Sequence, residues 1–191
     1  MSINPYQVCP VFESERLVYR LVQEEDASDL LECYSDAASI PLFNSDNCNN
    51  DFNFQTIEEM SDCIRYWLDE YEGHGYVRFS MVEKNSDKAV GTIEFFARKE
   101  RVEGLGVVGV LRLDLISRLE NEGVLTEILS MIEKEFYDCF GVDAMITKAI
   151  PSAEQRITAL LNSGFSKIEG NAIVPLSDYY LISRASGQES K

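Results

Sequence analysis

The chain has 191 residues, of which 45% are hydrophobic and 26% charged, a composition typical of a globular domain with a sizeable core. Its formal net charge of −16 argues against non-specific binding to nucleic acid or to anionic membranes, since both require a positive surface. No apolar run approaches the length of a membrane span, no signal-peptide pattern is present, and the five cysteines form no Cys-x-x-Cys pair. We therefore expect a cytoplasmic protein without a metal site, a nucleic-acid partner or membrane association.

The first half of the chain predicts one strand and two helices. Residues 1–13 are expected to form a loosely held leader. Thr56 and Glu59 form a capping-box pattern that starts the second helix. The elements predicted from periodicity are, in order, a strand at 17–22, a helix at 24–35, a surface loop at 39–54 and a helix at 57–72.

The second half alternates strands with helices. Its predicted elements are strands at 76–82, 90–97 and 105–116 with a charged hairpin tip at 98–104, a helix from near Val124 to Phe140, a strand at 144–150, a helix at 152–162, and closing strands at 165–169 and 176–183. No repeat or long linker divides the chain. This order predicts an α+β (mixed α/β) fold in a single domain over 1–191, with a flexible tail at 185–191.

Residues 111–140 form the unit around which the rest is organised. A strand leads through an acidic loop that contains Gly123 into a strongly amphipathic helix. The first backbone N–H groups of a helix have no partner within the helix, so this arrangement commonly binds an anion.

Three passages carry a resemblance to a known family. The sequence ERLVYR at 15–20 is followed by EDA at 25–27, GVLTE at 123–127 runs without a gap to Gly141, and Pro151 leads to LLNSGF at 160–165. Together these passages resemble the GNAT acyltransferase superfamily, and more narrowly its branch of ribosomal-protein N-terminal acetyltransferases. The resemblance covers nearly the whole chain.

The resemblance implies a central, mostly antiparallel twisted sheet flanked by helices, and acetyl-CoA as co-substrate. The strand before the loop would splay from its neighbour and bind the pantetheine arm through the backbone of Leu113 and Leu115. The N–H groups of Asn121, Glu122, Gly123, Val124 and Leu125 would bind the pyrophosphate. The acceptor would be an amine of a small molecule or peptide, and a homodimer is compatible with the resemblance.

The loop departs from the family pattern Arg/Gln-x-x-Gly-x-Gly/Ala. In the ungapped register Glu120 replaces the first residue and Leu125 the last, and only Gly123 matches. A rival register begins at Arg118 and places Asn121 at the central glycine. The later passage has Ala153 where the family contacts CoA through asparagine.

Arg156 lies where the family has serine, and two interpretations remain open for it. It can supply a positive charge to the nucleotide phosphates, or it can pair with Glu154 or the acidic loop. Glu120 and Glu122 likewise have a structural interpretation, since acids near a helix N-terminus favour the macrodipole.

Two strand carboxylates are candidates for the general base that deprotonates the amine. Glu94 lies on the strand at 90–97, and Asp114 lies on the strand that is expected to splay. Either can instead be an ordinary strand residue. His74, the only histidine, lies between two glycines and is interpreted as a loop residue. A group of aromatic residues can wall an acceptor pocket or pack in the core: Phe43, Phe52, Phe54, Trp67 and Tyr71.

The sequence thus favours an acyl-CoA-dependent N-acyltransferase. The alternative is a catalytically degenerate protein of the same fold that acts as a binding or interaction module, as Glu120, Glu122, Leu125 and Ala153 suggest. A third hypothesis, an acidic partner for a basic protein, rests on charge alone.

Overall fold

The computed structural model describes residues 4–46, 48, 51–168, 173 and 175–184. Within them the chain forms eight strands and four α-helices. The strands are β1 (Phe12–Glu13), β2 (Leu17–Leu21), β3 (Val77–Glu83), β4 (Lys88–Val102), β5 (Gly106–Leu115), β6 (Ala144–Lys148), β7 (Ser166–Lys167) and β8 (Tyr179–Ser183). The helices are α1 (Ala27–Tyr34), α2 (Ile57–Glu72), α3 (Glu122–Phe140) and α4 (Glu154–Asn162).

All eight strands belong to one sheet in the order β1-β2-β3-β4-β5-β6-β8-β7. The pairing of β5 with β6 is parallel, and the other pairings are antiparallel. Side chains of α3 and α4 pack on one face of the sheet in the largest apolar core. Those of α1 and α2 pack on the other face in a second core. The predicted α+β class with a mostly antiparallel, helix-flanked sheet is confirmed.

Helix α3 begins and ends as its sequence dictates. The Asn121 side chain accepts a hydrogen bond from the Val124 backbone N–H at 3.2 Å, which starts the helix two residues before the predicted Val124. Gly141 ends it in the left-handed conformation, with φ 62°. The predicted capping box of Thr56 and Glu59 at the start of α2 is also present.

The charged stretch at 98–104 differs from its prediction as a hairpin tip. Strand β4 continues to Val102, and its partner β5 begins at Gly106, so the turn is confined to the residues between them. The pairing shifts register between Ala97 and Arg101, which marks a bulge. Charged side chains are solvated equally well on an extended hairpin arm and at its turn, so the run of charges did not show where the turn lies.

The N-terminal segment makes more contacts than a loosely held leader would. Strand β1 pairs with β2, and the Phe12 ring lies 5.7 Å from that of Phe136. The Tyr6 hydroxyl accepts a hydrogen bond from the Ala97 N–H at 3.0 Å. The segment therefore covers an edge of the main core. The predicted tail at 185–191 lies outside the described residues, and in the part of the chain that is described no helix is long and apolar enough to cross a membrane.

Candidate active site

The parallel strands β5 and β6 separate near their carboxyl ends. Their paired residues run from Val108 opposite Ala144 to Leu111 opposite Thr147, whereas β5 continues to Leu115. The Ile116 N–H donates to the Val90 carbonyl on the β4 side, so by alternation the backbone groups of Leu113 and Leu115 point toward β6. The pairing of β5 with β6 thus ends before these two residues, which agrees with the splay that the resemblance implied, and their backbone groups face the gap.

Arg156 of α4 reaches into this gap. Its Nη1 donates to the Leu113 carbonyl at 2.9 Å and to the Leu42 carbonyl at 3.0 Å. Its Nε and Nη2 donate to the two carboxylate oxygens of Glu120 at 2.7 and 2.8 Å. The two side chains are only 4% and 7% exposed, so the ion pair is shielded from water and its geometry is the favourable bidentate one. Of the two interpretations of Arg156, the structure shows pairing with the acidic loop.

The N-terminus of α3 already has partners for most of its free N–H groups. The Val124 N–H donates to Asn121, and the Glu122 N–H donates to the Gln155 side chain at 3.2 Å. The Glu122 carboxylate accepts from Asn162 at 2.8 Å and stays beside the helix end. A side chain at position 123 would meet only Asn121 Oδ1 at 3.6 Å, so no close approach requires glycine there.

These residues do not fit a pyrophosphate. A cleft of about 310 Å³ opens at this end of α3, and its lining includes Glu120, Glu154 and Arg156. The one guanidinium is already neutralised by Glu120, and the surrounding carboxylates would repel a phosphate. The gap between the strands fits an extended, uncharged arm better, because backbone groups line it.

A loop that contains Asp46 connects the two sides of the gap through hydrogen bonds. In this segment, the 42–46 loop, Asp46 accepts two hydrogen bonds from Lys148 Nζ at 2.7 and 2.8 Å and one from the Tyr179 hydroxyl at 3.2 Å. The Asp46 carbonyl accepts from Arg112 Nη2 at 2.7 Å. The loop is therefore bound to β5 on one side of the gap and to β6 and β8 on the other.

A cavity of about 640 Å³ lies on the α2 face of the sheet. Its walls are mostly aromatic, and two exposed carboxylates, Glu59 and Asp62, stand at its rim. Its floor is polar and includes Arg78, Glu94 and Arg112. The aromatic wall residues are Phe52, Phe54, Tyr66, Trp67, Tyr76 and Phe96. An apolar cavity with a few convergent polar groups is the usual form of a small-molecule site.

The cavity floor is a row of alternating charges, here named the charge ladder: Arg78, Glu94 and Arg112. These residues lie directly opposite one another on β3, β4 and β5. Glu94 Oε1 accepts from Arg112 Nη1 at 2.9 Å, and Glu94 Oε2 accepts from Arg78 Nη2. Arg78 is 1% exposed, and its guanidinium carbon lies 4.1 Å from the centre of the Trp67 ring, a cation–π contact. The buried charges are thus paired.

Asp114 lies in a second row beside the ladder. Its Oδ2 accepts from the Tyr34 hydroxyl at 2.8 Å and from Arg78 Nη1 at 3.3 Å, while its buried Oδ1 has no partner among the described residues. Burial raises the pKa of Asp114 against the opposing effect of Arg78. Asp114 is 2% exposed and does not line the cavity.

The structure brings both predicted base candidates into one network, but it leaves neither free. Both Glu94 oxygens are bonded to guanidinium groups, and Asp114 lies beneath Tyr34. Their catalytic role stays a prediction. Of the five aromatic residues proposed as pocket wall or core, Phe52, Phe54 and Trp67 serve as both. Phe43 packs in the second core and Tyr71 packs against the main core, and neither lines the cavity.

The sequence interpretation missed Arg78, Arg112 and the Lys148–Asp46 pair. Arg78 stands between Val77 and Phe79 in a mostly apolar strand, and a charged residue in such a position needs a buried partner. This isolated charge could therefore have been recognised in the sequence as a buried, paired arginine. The partner of Asp46 lies 102 residues away, and no local pattern predicts such a contact.

Comparison with known proteins identifies similar chains. The family model described as an acetyltransferase (GNAT) domain matches residues 16–166. The chain is 21% identical over 160 residues to the uncharacterized N-acetyltransferase YoaA of Bacillus subtilis, covering 83% of this chain and 84% of that protein.

Solved structures share the fold. The ribosomal-protein-S5-alanine acetyltransferase from Vibrio fischeri has a TM-score of 0.68 at 16% identity, covering 95% of this chain and all (100%) of that one. The microcin C7 self-immunity acetyltransferase MccE, solved with acetyl-CoA and AMP, has a TM-score of 0.65 at 13% identity, covering 89% and 93%. At such identities the likeness establishes the fold alone.

Proposed function

Because the chain belongs to the GNAT acetyltransferase family, we propose that it transfers an acetyl group from acetyl-CoA to a primary amine. One observation carries the proposal: the gap and the cavity meet at consecutive residues of β5. The backbone of Leu113 lines the gap, and the side chain of Arg112 lines the cavity. An acetyl donor bound in the gap and an amine bound in the cavity would therefore be separated by one strand only.

The cavity suits an amine that carries an apolar group. The aromatic walls would bury the apolar group. At the rim, the carboxylates of Glu59, which caps α2, and of Asp62, which pairs with Arg65, would offer acceptor oxygens to the ammonium. At the floor, Glu94 is already bonded to both guanidinium groups, so it would orient the amine rather than take its proton. Catalysis would then rest on positioning, and the ammonium proton would leave through the open rim.

The cellular setting and assembly belong to the same proposal. All five cysteines are free thiols, which agrees with the expected cytoplasmic location. The homodimer stays a prediction.

The proposal is tested with acetyl-CoA and a panel of primary amines with and without apolar groups. We expect release of free thiol together with an acetylated product detected by mass spectrometry, with higher kcat/KM for amines bearing apolar groups. Tyr66 lines the cavity and is 57% exposed, so Tyr66→Ala should raise the acceptor KM and leave the fold intact. Leu161 is 53% exposed and lies on α4 away from the cavity, so Leu161→Ala is the matched control.

A second candidate is a ligand-binding protein that no longer transfers an acetyl group. The contact of Arg156 with the Leu113 carbonyl favours it, because this contact occupies a backbone acceptor in the gap. Under this hypothesis amines with apolar groups bind the cavity, whereas neither acetyl-CoA binding nor acetyl transfer is detected. Turnover with any amine of the panel would reject it.

A further inference from the structure

We propose that this protein recognises its donor through the acyl-pantetheine arm alone, and that Glu120 excludes the phosphates of the nucleotide end from the N-terminus of α3. The inference rests on the proposed function, because it concerns the donor of that reaction. It follows from the disagreement between the residues at the helix end and the pyrophosphate that the family implies.

The first step concerns the cation. Of the described residues that line the 310 Å³ cleft, only Arg156 carries a positive charge. Its Nε and Nη2 are both bonded to Glu120, and the pair is almost fully buried. A phosphate would have to replace a bidentate carboxylate that is already in place and shielded from water. Glu120 therefore acts as a built-in anion at this position.

The second step concerns the backbone donors. Asn121 caps the Val124 N–H, and Gln155 binds the Glu122 N–H. Among the described residues, the Gly123 N–H is then the one backbone donor in the first turn of α3 that makes no hydrogen bond. A single N–H group is a weak anion site compared with the several that a helix N-terminus normally offers.

The third step concerns charge. Glu120 and Glu154 line the cleft with Arg156, and Glu122 lies at the same helix end, so three carboxylates accompany one guanidinium. The formal charge of this group is minus two. The nucleotide end of a CoA thioester carries several phosphate charges of the same sign, and repulsion between them and the carboxylates opposes docking.

The fourth step concerns the arm, which carries no charge. The bonds from Arg156 to Glu120 use Nε and Nη2, so the contact with Leu113 uses only Nη1. A carbonyl oxygen has two lone pairs, and the Leu113 oxygen can accept a hydrogen bond from an amide N–H of the arm while the ion pair stays intact. The arm can thus bind in the gap while Glu120 still excludes the phosphates.

The experiment compares acetyl-CoA with S-acetylpantetheine, which lacks the nucleotide. Binding of both is measured by isothermal titration calorimetry at about 0.01 M and about 0.1 M salt, between which the screening length falls from about 30 Å to about 10 Å. We expect the two dissociation constants to agree within about threefold at the higher salt, a difference below about 1 kcal/mol. Acetyl-CoA should bind more tightly as salt rises, whereas S-acetylpantetheine should not change.

The variant Glu120→Gln removes one charge and frees Arg156. It should tighten acetyl-CoA binding about tenfold at low salt, or about 1.4 kcal/mol, with no effect on S-acetylpantetheine. Glu133→Gln makes the same change at an exposed position of α3, away from the helix N-terminus, and should leave both constants unchanged. This control separates a local effect of Glu120 from the net charge of −16.

Three results would overturn the inference. The first is acetyl-CoA binding at least tenfold tighter than S-acetylpantetheine and weakening with salt. The second is an equal effect of Glu120→Gln and Glu133→Gln. The third is that neither donor binds or is turned over, which would refute the proposed function as well. If Glu120→Gln does not fold, the salt dependence of the wild-type protein decides between the outcomes.

Discussion

Replacing Glu94 by glutamine tests whether the charge ladder holds the sheet together at the cavity floor. Glu94 is 2% exposed and accepts hydrogen bonds from two guanidinium groups. Glutamine has nearly the same shape, but its amide has only one oxygen. That oxygen can keep Arg112, while the NH2 group then faces the N–H donors of Arg78. The variant thus loses one charged hydrogen bond and leaves a buried arginine without its principal counter-ion.

The size of the effect follows from these contacts. A hydrogen bond to a charged group contributes about 1.5–3 kcal/mol, and leaving a buried charge unpaired raises the total cost to about 3–5 kcal/mol. Asp114 stays 3.3 Å from Arg78 Nη1 and offsets part of the loss, so we expect about 3 kcal/mol. Since domains are stable by about 5–15 kcal/mol, the variant should still fold, with a clearly lower free energy of unfolding.

The assay is urea unfolding at neutral pH, followed by circular dichroism and tryptophan fluorescence. Trp67 stacks on Arg78, so its fluorescence also reports on the ladder directly. Glu100→Gln is the matched control, because Glu100 lies on the same strand and is exposed. It should change stability by less than about 0.5 kcal/mol. A loss below about 1 kcal/mol in Glu94→Gln would show that the ladder contributes little and would refute the reasoning.

Three further predictions concern other parts of the fold. A Cβ added at Gly109 would lie 2.2 Å from the Phe95 ring, so Gly109→Ala should lower the free energy of unfolding by about 1–3 kcal/mol, measured by urea unfolding; an unchanged midpoint would contradict the close approach. Gly141→Ala puts a side chain at φ 62°, and it should cost about 1 kcal/mol and shorten α3, measured by thermal unfolding; no loss would refute the C-cap role. Burial acts to raise the pKa of Asp26, but hydrogen bonds from Arg20, Ser80 and Gln23 outweigh it, so the pKa of the folded state is lowered. The ionised Asp26 therefore stabilises the folded state above the unfolded pKa of about 4, and this contribution is lost as pH falls through the folded pKa. The stability difference between wild type and Asp26→Asn should thus be larger at pH 7 than at pH 3, and a constant difference would count against this linkage.

Helix ends were predictable from the sequence because their determinants are local. The capping box of Thr56 and Glu59 and the glycine stop at Gly141 each act within a few residues, and both are present. The order of strands and helices and the splay of β5 from β6 also follow from patterns along the chain and from the family resemblance.

The pairing of Arg78 with Glu94 was not predictable, and a β-bulge explains why. Next to the turn that joins β3 and β4, Val82 lies opposite Ala89, and counting on from this pair would place Arg78 opposite Ile93. The register shifts by one residue between Met81 and Val82, so Arg78 lies opposite Glu94 instead. A one-residue shift moves a side chain to the other face of a sheet. No feature of the sequence located that shift.

The sequence left the partner of the Arg156 side chain open for a similar reason. Its choice between a phosphate and the acidic loop depends on how α4 is placed against the loop before α3. The sequence separation of 36 residues between Arg156 and Glu120 gives no information about that placement. The structure resolves it through contacts on both sides, to Glu120 and to the Leu113 carbonyl.

The 42–46 loop has a consequence for how two ligands would influence each other. It is bound to Arg112 on one side of the gap and to Lys148 and Tyr179 on the other, and Arg112 is also the last member of the charge ladder under the cavity. A molecule that widens the gap would therefore pull on the same arginine that a molecule in the cavity contacts. Thermodynamic linkage requires such an effect to be reciprocal, so occupancy of either place should change the affinity of the other by the same factor.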